Sequence, residues 1–309
     1  MLLTVSICTY NRCEILRKGI EAILAQRVPE GVEWEFLVVD NNSTDGTRDL
    51  ILSYCARHSR LRYCFEPKQG VSNGRNLATR EARGEIIAFT DDDIQPAPDW
   101  LANIVRIATE HPDWAFFGGK VLPSNPEQFP SWLTPGHYSP LALLDRGDTP
   151  AILGLNTGLL VGANLTIRKK LMEVAAFDPK LGLVKRITGS IEDEDYLQQA
   201  LTAGRTGAYA PASIVYTEVQ PERLHWKYHL RWSWNHGWFN AMRWMPEWEK
   251  SSYNWLGAPG HVWRQGLESA LLAPLSLFNP PELLHKLNRV LWAVSFIRRR
   301  RQLRDSTRS

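Results

Sequence analysis

Three apolar, β-branched runs in the first hundred residues each stop on a polar residue: Val5–Ile7 leads to Thr9, Phe36–Val39 to Asp40, and Ile86–Phe89 to Asp91. Helically spaced segments separate them, and this alternation folds as βαβ units around a parallel sheet. The spacing predicts strands over Thr4–Thr9, Trp34–Val39, Leu61–Phe65 and Glu85–Thr90. It predicts helices over Ile15–Gln26, Thr47–Arg57 and Ser72–Ala82, and a fourth that Pro98 opens and that runs through Glu110. In such a sheet the ligand crevice lies outside the carboxyl ends of the strands, so Thr9-Tyr10-Asn11-Arg12, Asp40 and Asp91-Asp92-Asp93 should meet there. Pro123–Pro150, rich in proline and glycine, reads as a long irregular connection. Apolar segments follow at Gly158–Ile167 and Gly207–Tyr216, with a helix from near Ser190 between them.

The chain has 309 residues, 44% hydrophobic and 22% charged, enough for a core and unlike a disordered or fibrous sequence. Cys8, Cys13, Cys55 and Cys64 form no C-x-x-C pair, so they read as reduced, partly buried thiols and a zinc site is not expected. The opening MLLTVSICTYNR lacks a basic segment followed by an apolar one, and no apolar run reaches membrane-spanning length. The expected location is therefore the cytoplasm. The net charge of +3 divides unevenly: residues 286–309 carry eight basic residues against Asp305, a net +7, which leaves −4 for residues 1–285.

Consecutive carboxylates at Asp91-Asp92-Asp93 have no basic neighbour in the sequence. Like charges 4 Å apart repel by roughly 4 kcal/mol at an effective dielectric near 20. A hard divalent cation such as magnesium or manganese would relieve that repulsion. A solvated acidic turn capping the next helix is the plainer reading of the run alone. A second acidic group, Glu192-Asp193-Glu194-Asp195, follows Ser190, which suits a helix N-cap with acids in the first turn. An ionised Asp193 aimed into a crevice has the chemistry of a general base.

The ordered set resembles the family 2 glycosyltransferases over roughly residues 3–240. Its parts are Val5–Arg12, Val39–Thr47, Gly70 with Arg75-Asn76, Gly84–Asp93 before Pro98–Leu101, Gly162-Ala163-Asn164, Phe177–Gly182 and Glu192-Asp193. The resemblance implies an α/β, GT-A-like Rossmann-type fold with a mixed central sheet and an inverting sugar transfer. It implies that Thr9, Tyr10, Asn11, Arg12, Asp40, Asn42, Arg75, Asp91 and Asp92 surround the nucleotide and donor. It also implies that Asp93 and Asp91 hold manganese or magnesium, that Asp193 is the base, and that Trp100, Gly162, Asn164 and Glu192 line the sugar and acceptor region. The expected partners are a nucleotide sugar, UDP-linked above all, and a glycan or lipid-linked acceptor, with no nucleic acid. A role in bacterial cell-surface polysaccharide synthesis follows from the same resemblance. Many members place a histidine where this chain has Thr217, and His225, His229 and His236 are the nearby substitutes. The competing readings are a nucleotidyltransferase of related fold and a non-catalytic nucleotide-sugar sensor.

The expected organisation is a catalytic domain over residues 1–222, divided into a nucleotide half (1–120) and an acceptor half (121–222). Residues 223–309 then form a helical extension. That extension holds nine of the thirteen tryptophans between Trp226 and Trp292. Most of these rings read as core, because aromatic side chains dominate the interior of such helical regions. In Leu287–Ile297, Leu287, Val290, Leu291, Val294 and Ile297 recur at helical spacing ahead of Arg298-Arg299-Arg300-Arg301. An apolar helix face beside a basic run predicts peripheral contact with an anionic membrane.

Overall fold

The computed structural model describes residues 2–155, 157, 160–182, 188–243 and 254–306. These divide into two compact units. The first holds residues up to Ser124, from Ala142 to Gly182 and from Glu192 to Glu218; the second holds Asn125–Leu141, residues 188–191 and the chain from Val219 onward. Residues 125–141 and 188–191 thus belong with the chain after Val219, not with their sequence neighbours.

The first unit is built on a mixed sheet. Its strands are β1 Leu2–Thr9, β2 Glu33–Asp40, β3 Leu61–Phe65, β4 Ile86–Asp91, β5 Ile94–Pro96, β6 Trp114–Pro123, β7 Ala151–Leu153, β8 Leu165–Arg168 and β9 Thr206–Thr217. They lie in the order β3-β2-β1-β4-β8-β6-β9-β5, with β7 also paired to β9. β1 to β4 run parallel, as the sequence predicts; β1, β2 and β4 are buried almost end to end, whereas β3, at the sheet edge, buries only Leu61 and leaves Phe65 exposed. β8 reverses direction between β4 and β6, making the sheet mixed.

Strands β5, β6 and β7 escape the sequence reading. β6 carries Gly118-Gly119-Lys120 in its middle, and its register against β9 shifts there. A β-carbon at Gly119 would lie 2.0 Å from the Ser213 carbonyl oxygen and 2.4 Å from that of Ala210, so only glycine lets the two backbones approach.

Helices α1 Cys13–Leu24, α2 Thr47–Cys55, α3 Val71–Glu81, α4 Trp100–Glu110 and α5 Glu192–Thr202 fall within a few residues of their predicted positions. One core gathers Leu37, Val39, Ala78, Phe89, Phe116, Phe177, Tyr196 and Tyr209, joining the sheet to α3 and α5. Phe177 stacks on Tyr196 at 4.1 Å, and Asn76 exchanges two hydrogen bonds with the Phe177 backbone, fixing that segment against α3.

In the second unit, the irregular connection is a series of single 3₁₀ turns at Pro126–Gln128, Pro135–His137 and Ser139–Leu141. It is tied to distant sequence: His137 Nε2 donates to the Pro281 carbonyl at 3.0 Å and Tyr228 Oη to that of Pro140 at 3.0 Å. Helix α6, Trp226–Met242, packs on the long helix Pro280–Ser306, which also contacts the helix Gly260–Leu272. Ala241, Ala258, Val262, Ala293 and Phe296 form their core, with Trp263, Trp292 and Ile297 against it.

Part of the expected membrane surface lies against its own unit. Ile297 packs on that core, the Arg299 guanidinium lies 4.5 Å from the Trp238 ring centre, and Arg300 Nε donates to the Gly257 carbonyl at 3.0 Å. Ile297 and half of the arginine run are spent on their own unit, while Val294 stays exposed. No helix among the described residues is long and apolar enough to cross a membrane.

Candidate active site

Register alone sets Thr9 beside Asp40 and Cys8 beside Asp91, at the carboxyl ends of β1, β2 and β4. The loops beyond these ends are knitted together. Asn11 Oδ1 accepts the Thr44 backbone N–H at 2.7 Å, and the Asn11 N–H donates to Ser43 Oγ at 3.0 Å. Asn11 and Asn42 both adopt left-handed backbone conformations, φ 51° and 66°, which asparagine tolerates better than most residues. Asp40 accepts the Ser43 N–H at 2.9 Å and the Tyr63 hydroxyl at 3.2 Å. Asn41, absent from the sequence-derived set, is buried and holds three backbone groups, those of Glu66, Lys68 and Gly70. Tyr10 lies exposed at the rim.

The acidic run has cations that its sequence neighbourhood does not show. Arg12 donates to Asp92 Oδ1 at 2.5 Å and to Asp93 Oδ2 at 2.7 Å, while Thr9 Oγ1 donates to Asp92 Oδ2 at 2.7 Å. Arg75 reaches Asp91 Oδ1 at 3.4 Å. These carboxylates, without a basic neighbour in the sequence, thus face guanidinium groups from 16 to 81 positions away. Burial pushes the Asp92 carboxyl up to about 7, with Arg12 and the Thr9 hydroxyl opposing. Burial also raises Asp91, against the pull of Arg75. Cys8, next to this cluster, is pushed up to about 12 by burial, so its thiol stays protonated at neutral pH and is no nucleophile.

Arg75 joins the acidic run to the second acidic group. It is buried, donates to Glu192 Oε1 at 3.1 Å as well as facing Asp91, and lies 5.6 Å from the Phe177 ring centre. Asp193, the next residue, is half-buried at the N-terminus of α5. Its Oδ2 accepts the Gly162 N–H at 2.9 Å and its Oδ1 the Glu194 N–H at 2.8 Å, so both oxygens are oriented by backbone. Trp100 and Asn164 have a different placement from the one their motifs suggested. Both are fully buried; Trp100 Nε1 donates to Asn164 Oδ1 at 2.9 Å, and Asn164 Nδ2 donates to the carbonyls of Lys120 and Ser213. They brace the Gly162 turn from beneath.

Two of the three substitutes for a histidine at Thr217 hold backbone carbonyls. Within the second unit, His229 Nε2 donates to the Arg223 carbonyl at 3.1 Å and His236 Nδ1 to that of Gly189 at 3.3 Å. His225 caps α6 and is exposed. Among the described residues no group of three histidine, cysteine or acidic side chains converges as a ready-made metal cage. Magnesium and manganese need none when one or two carboxylates and substrate phosphates complete the shell. The hard oxygen donors of Asp91 and Asp93, both partly open to solvent, fit that mode.

The family model described as "Glycosyl transferase family 2" matches residues 4–174, more than half of the chain. Two curated proteins of Haloferax volcanii are similar. "Glycosyltransferase AglE" is 34% identical over 99 residues, 32% of each chain; "Glucosyl-dolichyl phosphate glucuronosyltransferase" is 25% identical over 193 residues, 59% of this chain and 58% of its own. The matches thus span about a third to three-fifths of these relatives. Among solved structures, the mannosyltransferase PcManGT from Pyrobaculum calidifontis, in complex with GDP-Man and Mn2+, aligns with a TM-score of 0.61 at 20% identity, covering 95% of this chain and 86% of that one. The mixed sheet with its flanking helices is thus the GT-A fold.

Proposed function

Because the chain belongs to glycosyl transferase family 2 and is a glycosyltransferase, we propose that it moves a sugar from a nucleotide-sugar donor to an acceptor hydroxyl with inversion, Asp193 serving as the base. The observation that carries this reading is the Arg75 bridge: one buried side chain touches Asp91 and Glu192, which brings the residue beside Glu192 to the crevice of the acidic run.

In the proposed step, the acceptor oxygen forms a bond to the anomeric carbon while the bond from that carbon to the phosphate oxygen breaks. The bonding pair leaves with the nucleoside diphosphate, and the acceptor proton passes to the Asp193 carboxylate. The backbone N–H groups of Gly162 and Glu194 hold that carboxylate in one orientation, which favours attack along a single line. Thr9, Tyr10, Asn11, Asp40 and Asn42 form the nucleotide side of the crevice. A divalent cation held by Asp93 and Asp91 would supply charge neutralisation for the diphosphate. Arg12 and Arg75 add fixed positive charge beside it.

The donor class is a nucleoside diphosphate sugar, as in the GDP-Man complex of the similar mannosyltransferase, with UDP the nucleotide that the family resemblance implies. A lipid-linked or glycan acceptor is supported by the dolichyl phosphate in the name of a relative, and surface-polysaccharide synthesis is the matching pathway class.

The test screens UDP-, GDP- and dTDP-sugars with manganese by thermal shift, then follows nucleotide products for the best donor. Free nucleoside diphosphate is the expected product; pyrophosphate would indicate nucleotidyl transfer instead, and no turnover with binding intact would indicate a sensor. Asp193→Asn should lower transfer about 10²- to 10⁴-fold while leaving the donor-induced shift in place. Turnover near wild type in that variant would remove Asp193 from the role.

A further inference from the structure

Five of the apolar side chains that the second unit leaves open to solvent are concentrated in one place. Leu267, Leu271, Leu275, Leu277 and Phe278 are 60, 77, 81, 63 and 102% exposed, so the Phe278 ring stands clear of the protein. No ionisable residue occurs between Glu268 and Glu282. Helices Gly260–Leu272 and Pro280–Ser306 form an antiparallel hairpin, since Gly266 faces Ala293 while Gly257 faces Arg300. Its closed end is the 3₁₀ turn Ala273–Ser276 with Leu277, Phe278 and Asn279, stiffened by Pro274, Pro280 and Pro281. Leu267, Leu271, Leu275 and Phe278 succeed one another at intervals of three or four residues, which aligns them as one stripe running onto that end.

We propose that this closed end is a membrane-docking wedge, which enters the interface of an anionic bilayer with Leu271, Leu275 and Phe278 foremost. Charge selects the occupant. Residues 254–306 hold eight basic and three acidic residues, a net +5. Each acidic one has a basic partner: Glu268 faces Arg264 at 3.8 Å, Glu282 binds Lys286, and Asp305 faces Arg301 at 3.8 Å. Of this surplus, Lys286 and Arg289 lie on the turns next to the closed end and act on an anionic leaflet there, while residues 298–301 lie roughly 30 Å from that end along the helix. A second copy docking through the same stripe would instead bring two like-charged hairpins together. The apolar chains also project singly from a hairpin end, a form that suits acyl chains better than a complementary protein groove. The inference stands on the second unit alone. It deepens the functional reading in one respect, by giving the enzyme a surface on which a lipid-linked acceptor would be met.

The test uses the full chain and co-sedimentation with large vesicles of phosphatidylcholine alone or with one third phosphatidylglycerol. The wild type should partition onto the anionic vesicles and be released in part by high salt. The combined Leu271→Ser, Leu275→Ser and Phe278→Ser variant should partition about tenfold less or weaker still, with its donor-induced thermal shift unchanged. In Phe278→Trp, the added indole should shift its emission to the blue on those vesicles. Equal partition of wild type and triple variant would overturn the proposal. So would a wild type that ignores vesicles but forms a dimer which the triple variant dissociates; that result would assign the stripe to self-association. Loss of donor binding in every form would refute the functional reading and leave the vesicle result standing.

Discussion

Arg75 is buried against Asp91 and Glu192, so removing its charge strands the Glu192 carboxylate in a poorly solvated place and takes a partner from the partly exposed Asp91. Breaking one side of a buried ion pair costs about 3–5 kcal/mol. Arg75→Met should therefore lower the unfolding free energy by about that amount in urea denaturation. Arg75→Lys should recover little, because one ammonium cannot span two acceptors as a guanidinium fork does. An unchanged urea midpoint in the methionine variant would show that the bridge contributes nothing to folding. At this scale the sequence is informative about identities and silent about partners. Thr9, Asp40 and Asp91 were legible because each ends an apolar run, and strand ends on one edge of a sheet share a crevice. The ion pairs of Arg12 were not legible, because its acids lie 80 and 81 positions away and contact is decided by the packing of α1 on β5 and the Asp92 backbone. Asn41 was passed over for Asn42 for a similar reason: its three backbone partners come from residues 66–70, and no local pattern announces them.

Elements were legible in proportion to how closely they follow one period. β1 to β4 are continuous apolar runs with turn residues between them, and α1 to α4 show one buried stripe each, so their positions shifted by only a few residues. β5 and β7 are three residues long, shorter than any periodicity can register. β6 is ten residues long and was still missed, because Gly118-Gly119-Lys120 imitates a turn while serving as the place where two strands crowd. Gly119→Ala tests that account. A methyl group pressed against the Ser213 and Ala210 carbonyls should destabilise the fold by about 1–3 kcal/mol, read as a lowered melting temperature. A melting temperature at or above wild type would mean that the β6–β9 crowding is absent in solution.

Across the whole molecule, the C-terminal third was legible as helix but not as surface: spacing marks an apolar face without saying which neighbour covers it. Core packing claimed Ile297 at the end of the face ahead of the arginine run, while the more exposed apolar side chains lie on the preceding helix and turn. The same unit gives the protein an acid sensitivity. Burial holds His229 and His236 at about 4, well below the ordinary histidine value near 6.5. Above pH 6.5 both are neutral in either state and stability is full. As pH falls from 6.5 to 4 the unfolded chain takes up protons that the folded one refuses, and each histidine withdraws about 3 kcal/mol. Melting followed by tryptophan fluorescence should fall steeply over that range and less steeply in His229→Phe; a flat wild-type profile would contradict the burial of both rings. The interleaving of the two units also bears on how the chain is made. His137 waits for Pro281, 144 residues later, which at about 5–20 residues per second is roughly 7 to 29 seconds of ribosomal elongation. During that interval residues 125–141 are without the segments they fold against, so cutting the gene after codon 222 would produce a catalytic half carrying an orphaned stretch in its middle.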